Sequence, residues 1–298
     1  MIAILGAGAM GRLWAASLPA GQTAFIARPG QTPDLPARYR YIDLSGTERD
    51  VSIPWINPSA PAPDLVLVTT KAGDTLEALE AVMDSLAPEV PIVLFQNGLG
   101  SQQAVAERWP DRPVLAASTT EGANRPAPDR LIHAGAGATW LGPMTEPGRT
   151  ALAECATTLA VTGFTLHQEP DILGRLWQKL VINAGINPFT AILDCPNGDL
   201  LHAELFLTHI DGLCQEIALL LVAAGQPPEA PEHLRERIES VARSTARNTS
   251  SMRSDRQLGR RTEIDYINGY LVRLGLSHGI PTPVNQMLVE QVQQLSIR

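Results

Sequence analysis

The sequence predicts an α/β chain in two parts, a doubly wound, largely parallel sheet at the amino end and an all-helical domain after it. Three observations carry this. A short apolar run, Ile2 to Leu5, leads through Gly6-Ala7-Gly8-Ala9-Met10-Gly11 into a helical stretch ending near Ala20. Continuous apolar runs return at Leu65–Thr69 and Pro91–Phe95, the pattern of parallel strands covered on both faces. Beyond Gln168-Glu-Pro170 strand patterning stops and helical spacing takes over. A chain of 298 residues exceeds one ordinary core, so the expected domains are residues 1–167 and 168–298.

Composition excludes several functions. A net charge of −8 opposes general nucleic-acid binding, which needs a basic face to displace phosphate counterions. No uninterrupted apolar run is long enough to cross a bilayer, so no membrane partner is expected. Met1 leads straight into an apolar strand without a basic region or cleavage site, which argues against a signal peptide. Cys155, Cys195 and Cys214 are odd in number, far apart and without CxxC spacing. They read as reduced thiols in a cytoplasm rather than as a disulfide framework or a metal site.

In chain order, the first element is strand, glycine turn, helix. The first glycine permits the tight turn, the second lets a pyrophosphate approach the backbone, and the third lets helix and strand pack closely. In that context Gly6 to Gly11 read as a dinucleotide site of the Rossmann type, with phosphate at the helix N-terminus; an ordinary turn of small residues is the alternative. The next strand, Ala24–Ala27, ends at Arg28, where an NAD-preferring fold would place an acid. An arginine there meets a 2′-phosphate, so NADPH is expected over NADH; the alternative is a surface arginine. Residues 29–63 are rich in Pro and polar residues, with strand-like pieces near Tyr41–Leu44 and Val51–Ile53. Lys71 follows the strand at Leu65, and Asn97 follows the strand at Pro91. Ligands bind outside the carboxyl ends of such strands, so both are expected on the rim of the glycine turn; a solvated lysine and a turn asparagine are the alternative. A strand at Val114–Ser118 then precedes a hairpin of Leu131–His133 with Ala138–Leu141. His133 has no second histidine or carboxylate at ligand spacing and reads as structural. A helix at Arg149–Val161 and a strand at Phe164–His167 close the domain.

The second domain opens on Trp177 to Ala191, apolar nearly all round except for Lys179, Asn183 and Asn187. Spacing of i, i+4, i+8 stacks those three along one helix edge. Burying an ammonium without partners costs several kcal/mol, so an anionic or carbonyl-bearing small molecule would suit this edge. A core helix whose lysine reaches solvent is the competing reading. The turn Cys195-Pro-Asn197-Gly could present Asn197 toward Lys179. Helices at Ala203–Ala224 and Pro231–Thr245 lead to Asn248-Thr-Ser-Ser251, then to Arg261-Thr-Glu263-Ile-Asp-Tyr-Ile-Asn-Gly-Tyr270. On a helix Glu263 shares a face with Ile267 and would need a partner if turned inward; an exposed helix capped by Thr262 is the other reading. A last helix runs from Asn285. Long helices such as Ala203–Ala224 could pair in a homodimer, although a buried core explains their apolar faces more simply.

Taken together, these blocks resemble the ketopantoate reductase family over essentially the whole chain. The matching stretches are the glycine turn, Thr-Lys71, Gln-Asn97-Gly-Leu-Gly, His133-Ala-Gly-Ala-Gly, Trp177 to Pro188, Cys-Pro-Asn197-Gly, Asn248-Thr-Ser-Ser251-Met and Thr-Glu263 to Tyr270. The resemblance implies a helical second domain like the C-terminal domain of 6-phosphogluconate dehydrogenase, and NADPH-dependent reduction of 2-dehydropantoate to (R)-pantoate. It implies Lys179 as general acid, with Asn183, Asn187, Asn197, Asn248 and Ser251 at substrate positions. Gly6 to Gly11, Arg28, Lys71, Asn97 and Ala123 match cofactor positions. Glu263 matches a cofactor-contacting carboxylate that could also balance Lys179. The stretch Arg125–Asp129 departs from the family as a small insertion, beside Ala123. Alternatives within reach of the same residues are reduction of another branched 2-keto acid, an opine-type dehydrogenase and a noncatalytic NADPH-binding sensor.

Overall fold

The computed structural model describes residues 1–27, 33, 35–57 and 62–295. Its contacts divide the chain into two units, Met1–Gln96 with Ser101–Arg175, and Asn97–Gly100 with Leu176–Arg298. The expected boundary at 167/168 lies at the end of the last strand, and the division by contacts falls a little later, inside a helix.

In the first unit an eight-stranded sheet is built from β1 (Ile2–Leu5), β2 (Thr23–Ile26), β5 (Trp55–Ile56), β6 (Leu65–Val68), β7 (Ile92–Leu94), β8 (Val114–Thr119), β11 (Ala138–Pro143) and β12 (Thr165–Gln168). Its order is β12-β11-β8-β7-β6-β1-β2-β5, parallel except where β11 meets β8. Helices α1 (Ala9–Ser17), α2 (Thr75–Met83), α3 (Ser101–Arg108) and α4 (Glu146–Leu159) connect the strands. Alternation along each strand feeds two cores. Ile2, Ile4, Leu65 and Leu67 join one buried cluster, while Ala3, Leu5, Val66 and Val68 join the other. Burial on both faces is why these runs are continuously apolar.

A second, four-stranded sheet was not expected. It contains β3 (Ala37–Ile42), β4 (Glu48–Ile53), β9 (Gly122–Ala127) and β10 (Arg130–Gly135) in the order β4-β3-β10-β9. The hairpin expected between Leu131–His133 and Ala138–Leu141 is therefore corrected. Those strands belong to different sheets, and β10 instead pairs antiparallel with β9 across the turn at Pro128-Asp129. The stretch Arg125–Asp129 is the end of β9 and that turn. Pro126 is tolerated because β9 is an edge strand. Tyr39, Tyr41, Val51, Ile53 and Leu131 of this small sheet share a core with Trp14, Ala15 and Ala16 of α1.

The second unit is helical: α5 (Ile172–Leu193, from Leu176 onward), α6 (Glu204–Ala223), α7 (Pro231–Ser244), α8 (Ser251–Gln257), α9 (Asn268–His278) and α10 (Pro283–Leu295). By length and composition α6 could cross a membrane, with a mean hydropathy of 1.6 over its best window. His209, Asp211, Gln215 and Glu216 interrupt its sequence, which is why no uninterrupted run marks it. Phe206, Ile210, Leu213, Ile217 and Leu220 are fully buried, and Phe206 meets Phe189 of α5 edge-on at 5.2 Å. This packing is that of a core helix.

Pro188 sits inside α5 and has no N–H to give the carbonyl of Ala184. Asn268 Nδ2 donates to that carbonyl at 3.3 Å and to Asn285 Oδ1 at 3.0 Å. Asn285 Nδ2 in turn donates to Glu216 at 2.7 Å, and the Glu216 carboxylate also accepts the backbone N–H groups of Val284 and Asn285 at the start of α10. A buried chain of carboxamides thus repairs the proline defect and caps the last helix.

Candidate active site

The glycine turn joins β1 to α1 where the strand order reverses, between β1 and β6. Gly6 has φ 111°, and a Cβ there would stand 2.7 Å from the Thr70 nitrogen. A Cβ on Gly11 would collide with the carbonyl oxygen of Gly6. Around Gly8 the same position is open space. The outer two glycines are demanded by the fold, whereas nothing inside the protein demands a glycine in the middle. Thr69 Oγ1 donates to the Gly6 carbonyl at 2.6 Å, fixing the turn. Gly8 is the N-cap of α1, with no side-chain cap and no acid in the first turn. The leading amides are therefore available to an anion, and the turn fits a dinucleotide pyrophosphate.

Ala7, Ala9 and Met10 are half-buried in the same turn. Lys71 is half-buried beyond the end of β6, before a single 3₁₀ turn at Ala72–Asp74. Ala123 is half-buried in β9, opposite His133. Arg28 lies outside the described residues, so the 2′-phosphate expectation rests on sequence. Asn97 follows β7 in the chain, yet its contacts group it with the second unit.

There, α5 carries Lys179 and Asn183 half-buried and Asn187 buried, two turns of one edge. Among the described residues the side-chain amides of Asn183 and Asn187 meet no hydrogen-bond partner. Burial pulls the Lys179 ammonium down to about 8, while the charge of Glu263 works in the other direction. Glu263 accepts from Asn97 Nδ2 at 3.0 Å.

The helical placement expected for Glu263 is corrected. It precedes a 3₁₀ turn at Ile264–Tyr266, and α9 begins only at Asn268, with Ile267 at a nonhelical φ −104°, ψ −95°. The cause is the segment Asn97–Gly100. Leu99 N–H donates to the Tyr266 carbonyl at 2.9 Å, and Gly98 lies so close that any Cβ would collide with that oxygen. Thr262 is buried rather than capping an exposed helix.

Asn197 is buried, donating from Nδ2 to Thr245 Oγ1 at 2.9 Å. Its Oδ1 is buried without a donor among the described residues. The backbone N–H of Asn197 donates to the Asn248 carbonyl at 3.1 Å, so those two residues lie side by side. Asn248 and Ser251 are exposed. Lys179 with Glu263 and Asn97, and Asn197 with Asn248, are thus brought together within one unit.

Two groups escaped sequence reasoning. His133, read as having no carboxylate partner, meets Glu121 at 2.7 Å between Nε2 and Oε2, with both side chains buried. Arg12, the residue after the third glycine, is buried, donates from Nε to the Ala7 carbonyl at 3.0 Å and lies 4.7 Å from the centre of the Tyr39 ring. Neither contact has a fixed spacing along the chain. Pairing of β9 with β10, and of the small sheet with α1, would have to be known first.

A Rossmann-type sheet with its glycine turn in one unit, and a helical second unit that carries Lys179 among carboxamides, have the build of a two-unit, nicotinamide-dependent oxidoreductase. Comparison with known proteins gives the particular family. Residues 2–146 match the model described as ketopantoate reductase PanE/ApbA, and residues 171–296 match its C-terminal counterpart. The 2-dehydropantoate 2-reductase of Vibrio cholerae is 35% identical over 302 residues, covering 99% of this chain and 97% of that one. A PanE/ApbA family ketopantoate reductase from Ralstonia eutropha superposes with a TM-score of 0.85 at 28% identity, covering 99% and 98% of the two chains. A D-mandelate dehydrogenase, in a ternary structure with NADH and anilino(oxo)acetate, reaches 0.88 at 23% identity over 99% and 97%, a likeness of fold. The chain belongs to the ketopantoate reductase family.

Proposed function

We propose that this chain reduces 2-dehydropantoate to (R)-pantoate with NADPH, a step toward pantothenate and coenzyme A. The observation that carries the reading is Lys179, an ammonium brought near neutrality by burial, sharing its edge of α5 with two carboxamides. The reductase from Vibrio cholerae and the two family models support the substrate.

When bound, NADPH supplies a hydride to the 2-keto carbon. Lys179 holds the balancing proton on Nζ, stabilises the negative charge that develops on the 2-oxygen, and releases the proton to it. Glu263 keeps that amine protonated, and Asn97 holds the carboxylate in place by its hydrogen bond. Asn183 and Asn187 both donate and accept, which suits a carboxylate beside a carbonyl. Asn197, Asn248 and Ser251 serve the hydroxyl-bearing end, where the buried Asn197 oxygen lacks a donor. The glycine turn, Lys71 and Ala123 hold the cofactor, and Arg28 selects its 2′-phosphate.

A homodimer in the cytoplasm belongs to the same reading. Leu207, Leu219 and Val222, exposed on α6, support the first, and three free cysteines support the second. The test is NADPH oxidation by purified protein over a panel of 2-keto acids, with and without an amine. Fastest turnover with 2-dehydropantoate is expected. Preference for another branched acid would change the substrate, amine dependence would indicate an opine-type reaction, and tight NADPH binding with no oxidation would leave a sensor.

A further inference from the structure

Among the described residues, Asp194 is the one non-glycine with a left-handed backbone, at φ 52°. Such a conformation costs an ordinary residue about 1–2 kcal/mol, and aspartate tolerates it better than most. Glycine would remove the cost, so the side chain must be wanted for something else. Asp194 Oδ1 accepts from Arg253 Nε at 2.9 Å and from Gln257 Nε2 at 2.8 Å, both on α8. Those hydrogen bonds, Arg253 first, hold the Asp194 carboxyl below its usual range. Arg256 Nη1 adds a bond to the Ala191 carbonyl at 2.6 Å. The C-terminal end of α5 thus grips α8 with one carboxylate and one carbonyl.

A second tie runs inside. Arg253 N–H donates to Ser250 Oγ at 3.0 Å, Ser250 Oγ lies 2.7 Å from Thr190 Oγ1, and Thr190 donates to the Asn187 carbonyl at 2.9 Å. Because the Thr190 proton is committed to Asn187, the Ser250 hydroxyl must be the donor in the middle link. The backbone of Asn197-Gly198 completes the frame through bonds to Asn248 and Ala246 at 3.1 Å each. Asn248, just before α8, and Ser251, its first residue, are therefore located relative to the Asn183–Asn187 edge by contacts at Asp194 and Thr190.

We infer that Asp194 is a specificity-determining positioning residue: by anchoring α8 to the end of α5, it sets Asn197, Asn248 and Ser251 to read a hydroxyl on the 2-keto acid. This rests on the proposed function. Sites built to hydrogen-bond a substrate hydroxyl discriminate strongly against the analogue lacking it, because their polar groups are then left unpaired. A loosened anchor removes that discrimination without touching the amine or the glycine turn.

The experiment compares kcat/KM for 2-dehydropantoate with that for 3,3-dimethyl-2-oxobutanoate, which differs only in lacking the hydroxyl, in wild type and in Asp194→Gly. The expected result is a fall of about tenfold for the hydroxylated acid, with the analogue unchanged within about twofold. NADPH affinity, read by fluorescence titration, stays at the wild-type value. Arg253→Met, which leaves the turn at 194 untouched, gives the same change of ratio, and Asp194→Asn, which keeps an acceptor, restores most of it. A mere turn residue predicts the opposite for Asp194→Gly: unchanged selectivity and equal or higher melting temperature. Equal loss on both acids, or an unchanged ratio in both Asp194→Gly and Arg253→Met, overturns the inference and leaves the proposed function standing. A wild type that oxidises NADPH with neither acid removes both.

Discussion

In the proposed function the glycine turn and the edge of α5 solve the same problem, meeting an anion, by opposite means. At the turn the backbone does the work, and side chains are excluded: a Cβ on Gly6 or Gly11 has nowhere to go. On α5 the side chains do it, and a charged one is kept inside with its proton only loosely held. The difference teaches where stability and function coincide. Two of the three glycines are needed merely to fold, whereas at Lys179 burial outweighs the charge of Glu263 and leaves the ammonium form less favoured in the fold than in water.

The largest effect should come from Lys179→Met. Removing the proton donor is expected to lower kcat by about a thousandfold or more, with NADPH affinity nearly unchanged. The melting temperature should rise by about 2–4 °C in a chain of this size, because an uneasy charge becomes an apolar side chain of similar length. Near-normal turnover would break the comparison at its functional end. A fall in melting temperature would break it at the energetic end.

Gly11→Ala probes the other side. The added methyl meets the Gly6 carbonyl, which Thr69 holds, so the strand and α1 must separate. A loss of about 3 kcal/mol in denaturant unfolding is expected, together with weaker NADPH binding. Asn268→Ala should cost about 2 kcal/mol, because the carbonyl freed by Pro188 loses its donor inside the protein. Its kcat should change far less than that of Lys179→Met.

The pH profile sharpens the contrast further. An acid that titrates at about 8 keeps kcat level below that pH, and kcat should fall about tenfold per unit above it. Glu263 raises the Lys179 value, so Glu263→Gln should move the falling limb to lower pH. For stability the sign is reversed. The folded lysine loses its proton before the unfolded one, so stability is gained from about pH 8 toward the ordinary lysine range near 10.5. Lys179→Met should lack that gain.

The two regions also differ in how far the sequence revealed them. Gly6 to Gly11 and its flanking strand and helix are contiguous, and each glycine's role follows from spacing alone. The stripe of Lys179, Asn183 and Asn187 was equally legible, because helical geometry fixes which residues share an edge. What surrounds them was not. Glu263 was placed on a helix because no local signal shows that Gly98, far earlier in the chain, presses on the Tyr266 carbonyl. The small sheet went unseen for a related reason: β3 pairs with β10, matching Arg40 to Arg130, and half-exposed strands of that length carry no record of their partner. The Glu121–His133 pair follows from that sheet and was hidden with it.

Gly8→Ala is the smallest change and the most discriminating. Gly8 has an ordinary φ of −75° and open space where its Cβ would be, so neither backbone strain nor a clash opposes alanine. Stability should therefore stay within about 0.5 kcal/mol of wild type, as at a surface position. The methyl would nonetheless stand where a pyrophosphate must approach the leading amides of α1, so NADPH affinity should fall while the melting temperature holds. Gly11→Ala, by contrast, should lower both. If Gly8→Ala bound NADPH like wild type, the middle glycine would be no more than a small residue in a turn, and the case for a phosphate cradle would rest on the helix N-terminus alone.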